Sequence, residues 1–81
     1  MKVISIDLDG TALLYPDIVN NLYEYPNNFI VIFTSRSSSI RKQTEIELSE
    51  KNIKYHALVM DEIRADIYIN DKNAGGLTWK I

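Results

Sequence analysis

Apolar residues in this chain come in short strand-like runs that alternate with stretches of helical spacing. Val3, Ile4 and Ile6 form a β-branched run that stops at Asp7-Leu8-Asp9-Gly10, which predicts a buried strand followed by a turn. Between Pro16 and Pro26, Ile18, Leu22 and Tyr25 line one face of a predicted helix of about two turns. Phe29 to Phe33 is apolar throughout, the pattern of a strand covered on both faces. The Ser37-Ser38-Ser39 cluster offers an N-cap, and a helix is predicted from there to Lys51, with Ile40, Thr44 and Leu48 as its inner stripe. Tyr55 to Val59 reads as a third strand and Ile67 to Ile69 as the centre of a fourth. Asp71 to Gly76 then reads as a turn, and Leu77 to Ile81 as a short fifth strand. Strands alternating with helices predict an α/β fold with a largely parallel sheet.

Composition narrows this picture. The chain has 81 residues, is 46% hydrophobic and 25% charged, and is expected to be a single domain over residues 1–81. The net charge of −2 comes from scattered residues, so there is no nucleic-acid signal. Arg36, Arg41 and Lys42 form a loose basic group that reads as a solvated helix face. Cysteine is absent, which excludes disulfides and thiolate metal sites. The apolar stretch at the N-terminus is broken by Ser5 and Asp7, too short for a signal peptide or a membrane span. A cytoplasmic protein with no membrane partner is expected.

Chemistry is expected where strands end, because ligands of open parallel sheets bind outside the carboxyl ends of the strands. Asp7, Thr34 and the pair Asn70-Asp71 each fall at the end of a predicted strand. A carboxylate can attack phosphorus to give an aspartyl-phosphate, provided a divalent cation offsets the repulsion between the two anions. A second carboxylate two residues on can protonate the leaving oxygen and later activate water. Gly10 allows the sharp turn that exposes neighbouring backbone. The only histidine, His56, reads as structural or surface, and Tyr68 and Trp79 as core.

Asp7-Leu8-Asp9-Gly10-Thr11 after a buried strand resembles the first motif of the haloacid dehalogenase-like phosphatase superfamily. Phe33-Thr34-Ser35-Arg36 is similar to the second, a buried strand ending in Thr or Ser. Arg41 to Thr44, Ile53 to Tyr55, and Ala65 to Ile69 followed by Asn70-Asp71-Lys72 resemble a small uncapped subgroup. The resemblance runs from Met1 to about Ala74. It implies a Rossmann-like three-layer sandwich with a mostly parallel sheet of about five short strands and no cap domain. About seventeen residues between Thr11 and Phe29 leave no room for a covering domain. The expected partner is a phosphorylated substrate, small or macromolecular, with a second copy of the chain as a candidate lid.

By the same resemblance Asp7 is the nucleophile and Asp9 the general acid/base. The resemblance also implies that Leu8, Gly10, Thr11, Thr34 and Ser35 bind phosphate and that Asp7, Asp9, Asn70 and Asp71 hold Mg²⁺. Two positions depart from the pattern. Glu62 stands where a lysine is expected, which leaves Arg64 or Lys72 to supply the cation. Asn70 replaces an acid, and an amide oxygen brings no charge to a metal. The alternatives are a catalytically weak domain that binds metal, phosphate or a partner, and a receiver-type domain phosphorylated on aspartate.

Overall fold

A computed structural model describes residues 1–62 and, as strands, residues 68–73 and 76–80. Three strands, β1 (Lys2–Asp7), β2 (Asn28–Phe33) and β3 (Ala57–Val59), form a parallel sheet in the order β1-β2-β3. Helix α1 (Pro16–Tyr23) connects β1 to β2, and α2 (Arg41–Glu50) connects β2 to β3. The register sets Asp7 across from Phe33 and Phe33 across from Val59, so the carboxyl ends of all three strands are level. The α/β class and the parallel sheet therefore agree with the sequence pattern.

The strand order equals the chain order, and both helices pack on one face of the sheet, where Val19 of α1 and Leu48 of α2 share one core with Ile30 and Ile32. Burial follows that arrangement. Ile6, Ile30, Ile32 and Leu58 point to the helices and pack with Leu8, Ala12, Val19, Leu48 and Ile53. Their alternates Ser5, Val31, Phe33 and Val59 line a shallow cleft of about 220 Å³ together with Glu62. The expectation that β2 is covered on both faces thus holds for one face among the described residues.

Local chemistry explains the helix ends. Ser37 caps a 3-10 turn, Ser38–Ile40, by accepting from the Ser39 N–H, and α2 follows directly. Thr44 and Leu48 are fully buried, as predicted, but Ile40, expected in the same stripe, lies in the 3-10 turn before α2 and is exposed. Helix α2 ends at Glu50, and Asn52 just beyond it takes φ of 57°, the left-handed conformation asparagine tolerates better than most residues. In α1 the expected inner face is right at Leu22 and wrong at Ile18 and Tyr25. Val19 is fully buried and Leu22 and Tyr23 pack beside it, whereas Ile18 and Tyr25 are exposed. Positions 19, 22 and 23 obey helical spacing as well as 18, 22 and 25 do. Contact with the sheet decides between them.

The C-terminal part also departs from expectation. Strands β4 (Tyr68–Asn73) and β5 (Gly76–Lys80) pair antiparallel as a separate two-stranded sheet. Five short strands are present among the described residues, but the parallel sheet has three of them. Antiparallel neighbours need only a tight turn, whereas a parallel neighbour needs a crossover of a dozen or more residues. The expected turn from Asp71 is also displaced, because β4 continues through Asn70, Asp71 and Lys72. No helix among the described residues is long and apolar enough to cross a membrane.

Candidate active site

The end of β1 turns through a single π-helical turn, Leu8–Ala12, closed by the Leu13 N–H donating to the Leu8 carbonyl at 3.0 Å. Asp7 caps this turn, and its Oδ2 accepts from the Gly10 N–H at 2.6 Å. A Cβ at position 10 would stand 2.6 Å from the same Oδ2. Any side chain at position 10 would therefore displace the Asp7 carboxylate, so the motif's Asp and Gly form one unit. Leu8 between them is fully buried and belongs to the core, so it offers only backbone to a ligand. Asp9 projects from the exposed side of the turn.

Thr34 immediately follows β2, fully buried, and its N–H donates to the Val59 carbonyl at 3.0 Å. Its hydroxyl donates to Asp9 Oδ2 at 3.4 Å and accepts from the Arg36 N–H at 3.1 Å. Because Thr34 is next to Phe33, the register partner of Asp7, the three candidate residues Asp7, Asp9 and Thr34 gather at the ends of two adjacent strands. The segment after β3 closes the same rim. The Glu62 N–H donates to the Thr34 carbonyl, the Asp61 N–H donates to the Arg36 carbonyl, and Asp61 Oδ1 accepts from the Ser38 N–H. Asp61 takes φ of 61° to make this turn.

Arg36 is the residue that sequence reasoning misplaced. It lies between β2 and the 3-10 turn, not on a solvated helix face. Its Nη2 sits 2.6 Å from Asp9 Oδ1, and its Nε donates to Asp9 Oδ2 at 3.3 Å. Its Nη1 donates to Glu47 Oε1 at 2.9 Å and lies 3.5 Å from Thr44 Oγ1, both on α2. The hydrogen bonds to Asp9 and then to Glu47 push the guanidinium further above its already high range, against a smaller opposing effect of burial. Arg36 stands two residues after Thr34 in the quoted motif, and that proximity was the available signal. Its partner Glu47 lies 11 residues on, within α2, which no local pattern reveals.

Comparison of the chain with protein-family models, curated proteins and solved structures found no match.

The remaining candidates divide by position. Thr11 accepts from the Leu14 and Tyr15 N–H groups through its carbonyl, and Ser35 is exposed next to Thr34. Arg64 lies outside the described residues. Asn70, Asp71 and Lys72 fall within β4, and Asn70 pairs with Thr78 of β5. The expectation that Asn70 and Asp71 end a strand is thus corrected, because the hairpin extends the strand past them. Of the other basic residues in the loose group, Arg41 pairs with Glu45 and donates to the Leu58 carbonyl at 2.9 Å, which ties α2 to β3. His56 is structural, as expected. Its Nδ1 accepts from the Ile30 N–H at 2.9 Å, and its ring stacks on Tyr23 and Phe29.

Proposed function

We propose that this chain is a Mg²⁺-dependent phosphohydrolase that works through an aspartyl-phosphate on Asp7. The observation that carries this reading is the gathering of Asp7, Asp9 and Thr34 at the carboxyl ends of β1 and β2, with the Thr34 hydroxyl on Asp9. Asp7 attacks phosphorus of a phosphoester, the leaving oxygen departs with the bonding electrons, and water then hydrolyses the acyl phosphate. Asp9 is the group within reach to exchange protons with the leaving oxygen and the water. The donor set fits magnesium, which prefers oxygen ligands. Asp7 and the Asp9 backbone carbonyl would hold it, with Asn70 and Asp71 as the β4 candidates. When bound, it supplies positive charge that allows one anion to approach another. The site has no cap among the described residues, which suits a macromolecular phosphoester or a second copy acting as lid.

A second reading, a domain that binds phosphate or metal with weak catalysis, is favoured by one observation. The Glu62 backbone is bonded to Thr34, so an acidic residue sits beside the strand end where an incoming dianion would need positive charge. The test is turnover of 4-nitrophenyl phosphate with and without Mg²⁺. The expected result is Mg²⁺-dependent release of phosphate that Asp7→Asn abolishes while the fold is kept. Equal turnover by mutant and wild type removes Asp7 from the mechanism. Glu62→Lys is expected to raise the rate, and an inactive wild type that Glu62→Lys leaves inactive selects the binding reading.

A further inference from the structure

Arg36 has acceptors on all three guanidinium nitrogens. Two nitrogens straddle the Asp9 carboxylate and the third reaches Glu47 and Thr44 on α2. A guanidinium so engaged is not available as a phosphate cation in this arrangement. What it does is hold a carboxylate that otherwise stands on an exposed turn. Asp9 receives the Arg36 fork on both oxygens and the Thr34 hydroxyl on Oδ2. Planar two-point pairing of this kind fixes orientation as well as position, which a lysine cannot do. The anchor continues into the fold, because Glu47 lies on the helix whose Thr44 and Leu48 are fully buried. Arg36 therefore links the packed helix to the exposed Asp9 carboxylate.

We propose that Arg36, braced by Glu47, is a positioning residue that holds the Asp9 carboxylate as the base for hydrolysis of the Asp7 phosphate. The inference rests on the phosphohydrolase reading and assigns the step Arg36 serves. In that step a water oxygen bonds to phosphorus and the bond from phosphorus to the Asp7 oxygen breaks. The electron pair returns to the Asp7 carboxylate, the water proton passes to Asp9, and inorganic phosphate leaves. Arg36 keeps its protons throughout. An ionised, oriented carboxylate is what this second half-reaction uses. The first half-reaction, attack by Asp7 on a substrate with a good leaving group, has little need of Asp9.

The experiment separates the two halves with 4-nitrophenyl phosphate, whose leaving group departs without a proton. Arg36→Lys, Arg36→Gln and Glu47→Gln are compared with wild type in the presence of Mg²⁺. Loss of the fork is expected to lower kcat on the order of ten- to a hundredfold. The change in kcat/KM, which reports transfer to Asp7, is expected to stay within about threefold by the same division of roles. A burst of one 4-nitrophenolate per enzyme and acid-trapped phosphoenzyme should then appear in the Arg36 variants. Glu47→Gln keeps a neutral acceptor and should show the same split in smaller form, with the fold undisturbed. A merely structural role lowers kcat and kcat/KM together and gives no burst, and that result overturns the proposal while leaving the phosphohydrolase reading intact. Absence of turnover and of phosphoenzyme in wild type overturns both.

Discussion

Gly10→Ala separates the geometry of the candidate nucleophile from the stability of the fold. The added methyl would lie 2.6 Å from Asp7 Oδ2, well inside van der Waals contact, and no other atom crowds it closely. Gly10 is not in the left-handed region, so alanine fits the backbone and the carboxylate is what must move. Restoring ordinary contact requires a displacement of about 1 Å. That displacement weakens the bond from the Gly10 N–H, a capping interaction of about 0.5–2 kcal/mol. Replacing glycine by alanine also restricts the unfolded chain, which returns about 0.4–1 kcal/mol. The net stability change is then about 1 kcal/mol or less, a shift of a few degrees in Tm for a domain this size. Activity is far more sensitive, since a misplacement of about 1 Å in a reacting group can cost about 100-fold in rate. The assay is kcat/KM for 4-nitrophenyl phosphate with Mg²⁺, beside thermal and urea denaturation of both proteins. The prediction is a large rate loss in a folded protein. Turnover within about threefold of wild type refutes the argument that this contact places the nucleophile.

Other predictions address packing and pH. Asn20 holds α1 to the loop before β3, donating to the Asn52 carbonyl at 2.9 Å and accepting from the Lys54 N–H at 2.8 Å. Asn20→Ala should cost about 1–2 kcal/mol by urea denaturation, and Asn20→Asp, which keeps the acceptor, roughly half of that. For Tyr55, burial raises the phenol pKa above its ordinary value of 10.0, with Glu45 adding to the effect and Arg41 opposing it. The neutral phenol is favoured in the folded state, so its contribution is complete below pH 10 and is lost as pH rises through the higher folded value. Tyr55→Phe should flatten the fall of stability above pH 10, and an unchanged alkaline slope would contradict the assignment.

What this sequence determines alone is what neighbouring residues decide among themselves. The β-branched run before Asp7, the apolar run before Thr34 and the serine cluster before α2 each carry their own structural signal, and each element appears where that signal lies. The Asp7-x-Asp-Gly unit is local as well, because Gly10 is three residues from the carboxylate it admits. The third strand was legible too, though only Ala57–Val59 of the expected run pairs with β2. Tertiary structure decided the rest, for reasons of distance. Two apolar sets on α1 satisfy helical spacing, and only the sheet beneath selects Val19 over Ile18. Coverage of β2 depends on which face of the sheet each connecting helix takes, which no residue in β2 records. Arg36 reads as one surface charge among several until the fold brings Asp9 from one side and Glu47 from the other. The fate of Asn70 and Asp71 turned on whether their strand finds a partner through a tight turn or across the molecule. The strand's own pattern is compatible with both, and the nearer partner, β5, is the one it takes.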